Sequence, residues 1–254
     1  VIEQIKKAAS EAGPYLTEIR RELHQYPELG VDLPVTHEII SRELKKIPGL
    51  DVYEHKAGGS GIIALMRGKK PEGKTVLLRA DIDGLPIEEK VDCEYKSKNT
   101  GRMHACGHDG HAAWLIGAAK ILSRIRSEWG GCIKFVFQPG EEVSKGAKMI
   151  LEAGHLDHVE QIFGLHVFAD IPVGYVNIEP GPRMAESDYF KITIKGRQGH
   201  AGKPQQCVDA TVAAAAMILN LQQIVSRETN PIDSAVVTIG HVECGTVRNV
   251  IAGS

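Results

Sequence analysis

At 254 residues, with 30 Lys and Arg against 32 Asp and Glu, the chain carries a formal net charge of −2, an even and interspersed balance that argues against a nucleic-acid surface or a polybasic membrane anchor. Hydrophobic residues make up 43% and charged residues 24%, as in a globular enzyme or binding module with one large core or two smaller ones. No apolar run approaches the ~20 residues that span a bilayer, and five scattered cysteines (Cys93, Cys106, Cys132, Cys207, Cys244) with no CxxC pair match a reducing, cytoplasmic compartment.

The opening stretch, Val1 to Lys7, has no secretory apolar core and no initiating Met, so residues are expected to precede it. A helix is predicted over about 2–24, where Ile5, Ala8, Ala9, Ala12, Leu16, Ile19 and Leu23 recur on one stripe. Pro14 lies inside it, and a kink or break is expected there. Tyr26-Pro27-Glu28-Leu29-Gly30 reads as a turn before a second helix near 34–47. Short apolar runs bounded by Gly and Pro follow at 61–66, 75–79, 132–137 and 161–167, and read as buried strands. The clearest helical stripe between them runs over 110–125, through Leu115, Ala118, Ala119, Leu122 and Ile125. Strands alternating with helices imply an α/β fold whose mixed, largely parallel sheet is covered on both faces.

The texture changes near Gly181-Pro182-Arg183, so residues 1–182 are expected to form one domain and 183–254 a second. In the second, Phe190, Ile192 and Ile194 alternate along a half-exposed strand at 189–195. A helix is predicted over 208–226 and another strand over 234–242. Two strands and one helix rarely make a self-sufficient layer. The second unit is therefore expected to be incomplete and the polypeptide cut short, the alternative being a small complete appendage.

The unusual polar residues gather just past the apolar runs. The run at 75–79 leads into Ala80-Asp81-Ile82-Asp83-Gly84, the run at 132–137 into Gln138-Pro139-Gly140-Glu141-Glu142, and the run at 161–165 into His166. Ligands of open α/β sheets bind outside the carboxyl ends of the strands, so these groups are expected on one rim. His104-Ala105-Cys106-Gly107-His108-Asp109-Gly110-His111 adds three imidazoles and a thiol immediately before a helix. Cys106 and His108 can share a face, Gly107 and Gly110 allow a tight bend, and Asp109 reads as the helix N-cap. Such density favours a metal site over a buried cysteine among structural histidines. Glu141 and Glu142 diverge in extended backbone, so one can bind metal while the other serves a water as general base. Asp81 and Asp83 share a face and can orient a ligand histidine; the competing view of each pair is an ordinary solvated turn. Thiolate, imidazole and carboxylate together leave zinc, manganese, cobalt and nickel open. In the second unit, His200 in the Gly-rich loop 196–204 can reach a substrate oxygen, and Gly245-Thr246-Val247-Arg248-Asn249 can meet a substrate carboxylate; each competes with a bland loop. His24, His37, His55, His155, His158 and His241 are assigned no function.

Together these segments resemble the metal-dependent amidohydrolases that include aminoacylases, hippurate hydrolase, N-acetyldiaminopimelate deacetylase and plant indole-acetyl-amino-acid hydrolases, of the dinuclear metallopeptidase superfamily. The matching pieces are Arg20-Arg21-Glu22-Leu23-His24, Pro27-Glu28-Leu29-Gly30, Arg79 to Pro86, Met103 to His111, Phe137 to Glu142 and Gly164-Leu165-His166. Gly199-His200-Ala201 and Asn249-Val250-Ile251 match in the second unit. The resemblance implies a catalytic α/β domain with a smaller α/β lid, incomplete here, through which a homodimer forms. It implies two divalent metals on Cys106, His108, Glu142 and His166, with Glu141 as general base and Asp83 among the catalytic residues. His200 would polarise the scissile carbonyl from the other protomer, and Asn249 would bind substrate. The implied substrate is a small N-acyl amino acid, not a nucleic acid or a membrane. Such proteins carry one more ligand histidine after the lid, so a non-catalytic metal-binding or dimerising fragment competes as the alternative. A third reading, hydrolysis by a Cys106 nucleophile with His108, would resist chelators and be lost to thiol alkylation.

Overall fold

The computed structural model describes residues 1–254, which divide into two units, Val1–Asn177 and Ile178–Ser254. In the first, helix α1 (Ile2–Gln25) buries Ile19, Leu23 and His24. It runs unbroken through Pro14, where the sequence predicts a kink or break. Proline removes the amide that would bond the carbonyl four residues back. That residue, Ser10, is exposed, as is Pro14 itself, so the lost bond falls on the solvent side of the helix, where it costs least. Helix α2 (Pro34–Leu44) starts on a proline, whose missing N–H is no loss at a helix start. The buried Glu28 carboxylate accepts the next two amides, of Val35 at 3.3 Å and Thr36 at 2.9 Å, which makes the Pro27-Glu28 turn a cap for the helix after it.

Five strands form one sheet: β1 (Asp51–Glu54), β2 (Ile62–Arg67), β3 (Lys70–Asp81), β4 (Gly130–Gln138) and β5 (Gln161–Gly164), in the order β1-β2-β4-β3-β5. β1 with β2 and β2 with β4 are antiparallel, while β3 runs parallel to both β4 and β5. Alternation along the strands splits the core in two. Ile62, Ala64, Met66, Ala80, Phe135 and Phe137 pack under α1, α2 and helix α3 (His108–Arg124). On the opposite face Ile63, Leu77 and Val136 pack with Ile150 of helix α4 (Gly146–Glu152). The sheet is therefore mixed and covered on both faces. β1 and α4 are not apparent in the sequence, because four and seven residues are too few to establish a period. β5 departs from the buried strand expected: it pairs with β3 alone, and Ile162 and Phe163 are each 56% exposed. No helix is long and apolar enough to cross a membrane.

In the second unit the predicted long helix is α5 (Ala210–Leu221), capped by the Asp209 carboxylate, which accepts the amides of Thr211 and Val212. A separate π turn, Ile224–Glu228, follows. Its two strands are β6 (Gly199–His200) and β7 (Val250–Ile251), paired antiparallel. The strands predicted at 189–195 and 234–242 do not form. Alternating side chains are not sufficient for a strand; the backbone needs a ladder partner, and neither segment has one. Tyr189 and Val236 stand 90% and 86% exposed.

Phe135 is fully buried at the centre of the main core. Phe135→Ala is expected to cost about 3–5 kcal/mol, read as a lower urea midpoint at an unchanged slope.

Candidate metal centre

Register brings the site together. Parallel pairing sets Asp81 of β3 beside Gln138 of β4, and Arg79 of β3 beside Gly164 of β5. The segments leaving these strands, carrying Asp83, Glu141, Glu142 and His166, therefore emerge on one rim, the position where open α/β sheets bind ligands. The cysteine–histidine segment is tied there by backbone bonds: Leu85 and Met103 exchange two, at 2.9 and 3.0 Å, and the Gly84 amide donates to the Glu28 carbonyl at 2.7 Å. Gly107 ends that segment at φ 85°, a left-handed turn that favours glycine. A side chain there would also run into Val167.

Turning at Gly107 starts α3 at His108, which corrects the expected cap. Asp109 lies inside the first turn, buried, and caps nothing. Its carboxylate instead takes Arg20 Nε and His24 Nδ1, each at 2.7 Å. His24, to which the sequence reading gave no role, thus locks α1 to the start of α3, with Glu89 3.2 Å from its other nitrogen. Bonds to the two carboxylates outweigh burial and raise the His24 pKa, with the Asp109 bond foremost. The available signal was Arg20 and His24, two polar residues beside the apolar stripe of Ile19 and Leu23.

Each imidazole's role follows from what its second nitrogen meets. His166 Nδ1 lies 2.6 Å from the Val167 carbonyl, which can only accept, so Nδ1 carries the hydrogen and the Nε2 lone pair faces Cys106 Sγ at 3.4 Å. His108, wholly buried, turns Nδ1 toward Asp83 at 3.5 Å and Nε2 toward Asp81 and Glu142 at 3.7 and 3.8 Å. These are too long for good hydrogen bonds, and both ring nitrogens lack a partner, as does Glu142 Oε1. Asp83 also accepts the backbone amides of Glu141 and Glu142, at 3.1 and 3.0 Å, so one carboxylate sets both the His108 ring and the glutamate pair. His111 is the third imidazole at the rim. His104 is not part of it: it is buried nearer His24, with ring centroids 6.3 Å apart, and burial lowers its pKa to about 4.

These groups fit a divalent cation. Cys106, His108 and His166 form one set of candidate ligands, and His108, Glu141 and Glu142 a second, the ligand atoms of each set lying within 4.8 Å of one another. Negative charge exceeds positive around them. Burial, then Glu142, Asp81 and Glu141, push the Cys106 thiol up to about 12. Burial also raises Glu142. Burial opposes a charge on His108, but the Asp83, Asp81 and Glu142 carboxylates outweigh it and raise its pKa. Asp81 is likewise buried, yet His111, His108 and Arg79 hold it at about 2. A cation among these donors would relieve each of the raised groups at once.

In the second unit, the β6–β7 pairing brings together its two singled-out stretches: His200 pairs with Val250, and the Ala201 amide donates to the Asn249 carbonyl at 3.1 Å. Both His200 and Asn249 are exposed.

The description "Peptidase family M20/M25/M40" matches residues 77–242. The chain is 44% identical over 238 residues to N-acetylcysteine deacetylase of Bacillus subtilis, covering 93% of this chain and 62% of that protein. It is 45% identical over 240 residues to IAA-amino acid hydrolase ILR1-like 2 of Arabidopsis thaliana, covering 94% and 54%. A solved structure, the Bacillus subtilis YXEP protein, described as a dinuclear metal binding peptidase from the M20 family, superposes with a TM-score of 0.73 at 36% identity, covering 98% of this chain and 62% of that one. The chain thus spans between half and two thirds of the length of these three relatives.

With its pKa near 12, Cys106 is a protonated thiol at pH 7.5, and a metal must displace that proton to bind sulfur. Calorimetric titration with zinc in two buffers of different protonation enthalpy should show about one proton fewer released from Cys106→Ser than from the wild type.

Proposed function

This chain belongs to peptidase family M20/M25/M40, and from that premise we propose that it hydrolyses the amide bond of N-acyl amino acids at the rim described above. The observation that carries this reading is the ring of unsatisfied donors: buried His108 and half-buried Glu142 with unpartnered atoms, and His166 Nε2 facing Cys106 Sγ. Cys106, His108, Glu142 and His166 would hold two divalent ions, of which zinc, manganese, cobalt and nickel all suit the donor set. When bound, such ions acidify a water and polarise a carbonyl.

The chain's own residues supply the rest. Glu141 shares a donor group with His108 and Glu142 and is free to take the proton of the attacking water. Water oxygen bonds to the acyl carbon, the carbon–nitrogen bond breaks, and Glu141 returns the proton to the leaving amine. Asp83 holds the Glu141 backbone and faces His108, so base and ligand keep one spacing; it acts by positioning. His200 would polarise the acyl carbonyl and Asn249 would hold the substrate carboxylate. The β6–β7 pairing and the Ala201 amide bond to the Asn249 carbonyl keep the two stretches side by side, which supports a joint role. Exposed Val212 and Leu219 on α5 support the second unit as a dimerising lid, with His200 serving the partner protomer. The five unpaired cysteines support a cytoplasmic location. The names of the relatives direct the substrate search to N-acetyl and N-indoleacetyl amino acids. A Cys106 nucleophile is disfavoured, because its thiol is pushed away from the thiolate.

A panel of N-acetyl, N-benzoyl and N-indoleacetyl amino acids, assayed with each of the four metals, tests the activity. Glu141→Gln is expected to lower kcat by about 10²–10⁴-fold with metal content unchanged, whereas Cys106→Ser lowers the metal-to-protein ratio. Metal uptake with no turnover of any substrate would instead favour a non-catalytic metal-binding module.

A further inference from the structure

His111 lies with Asp81 and His108 in a third group whose donor atoms approach within 4.8 Å of one another, and by proximity alone it would count as a metal ligand. Its nitrogens are both committed elsewhere. Nδ1 lies 2.5 Å from Asp81 Oδ1, and the backbone amide of Val167 donates to Nε2 at 3.0 Å. An amide can only donate, so Nε2 holds the lone pair and Nδ1 the hydrogen, and that lone pair is already used. We propose that His111 is a positioning residue that seats His166 in the centre and does not ligate metal, an inference that rests on the metal-centre reading above.

The geometry forms a chain of contacts. Arg79 Nη1 fixes Asp81 Oδ2 at 2.7 Å, and Asp81 fixes the His111 ring. His111 then holds the Val167 amide, while the Val167 carbonyl takes the hydrogen of His166 Nδ1. Residue 167 is gripped at both backbone polar groups, and its side chain lies over Gly107, where any Cβ would collide with it. The His111 and His166 rings sit 4.6 Å apart at 66°, so His166 is packed as well as bonded. This support matters because His166 follows β5, an exposed edge strand held on one side only. His111, 3% exposed on the first turn of α3, ties the segment to the same helical turn that carries His108. Both histidines thereby keep one frame.

Two measurements test this on the 254-residue chain. With ¹⁵N-labelled histidine and ¹¹³Cd as the probe, cadmium–nitrogen coupling is expected at His108 and His166, while the His111 Nε2 resonance keeps an acceptor-type shift without coupling; coupling to His111 would overturn the proposal. In the second, cobalt affinity is measured for His111→Asn, whose amide can still give Asp81 its hydrogen but is too short to reach Val167, and for His111→Phe. Affinity should fall by about 10–100-fold, with the metal-free Tm of the Asn variant close to wild type. Wild-type affinity per folded molecule in the Asn variant would overturn the proposal, even if the Phe variant failed to fold. A wild-type chain that takes up neither cobalt nor cadmium would refute the metal-centre reading itself, a result distinct from either of these.

Discussion

Four carboxylates, those of Asp81, Asp83, Glu141 and Glu142, crowd around one imidazole that has no access to solvent, and the arrangement of the first unit depends on keeping them there. Burying charge is expensive unless it is paired and hydrogen-bonded. The chain offsets that cost only in part. Asp81 has Arg79 and His111, and Asp83 has two backbone amides, but Glu142 and His108 are left with unpartnered atoms. Such an imbalance leaves the rim suited to a positive charge. The raised thiol of Cys106 follows from the same imbalance, since a sulfur facing three carboxylates stays protonated until a cation arrives.

The first turn of α3 serves two clusters at once. Residues three apart share a helix face, so His108 and His111 both point to the rim, while Asp109 between them turns to α1 and takes Arg20 and His24. The turn is therefore anchored from behind by one buried ionic network and presents its imidazoles in front. Gly107 makes this possible, because its left-handed backbone delivers the helix start at an angle that a side chain would block. Two roles the sequence could not separate, a ligand and a support, differ only in whether the second ring nitrogen meets a carboxylate across open space or a backbone amide at bonding distance.

The sequence by itself determined the classes of element and the direction in which the chemistry lies. Apolar runs bounded by glycine and proline become β2, β3 and β4, and polar residues just beyond them reach one rim, because hydrophobic periodicity and the strand-end rule are both read locally. The density of the 104–111 segment likewise pointed to a candidate metal centre without any tertiary information, and Cys106, His108 and His111 do fall in groups of candidate ligands. The alternation of strands with helices also carried the mixed sheet covered on both faces, though its pairings divide evenly, two parallel and two antiparallel.

What tertiary structure decided was every question of partnership. Pro14 stays in a helix because Ser10 faces solvent, and the alternating segments at 189–195 and 234–242 remain unpaired because no ladder partner reaches them. Three histidines within eight residues are equivalent on paper. One is buried beside His24, one is set among the carboxylates of the rim, and one spends its lone pair on an amide 56 positions further along the chain. Periodicity is a property of neighbours in sequence, whereas a hydrogen bond's second partner comes from wherever the fold places it, and only the folded chain supplies that.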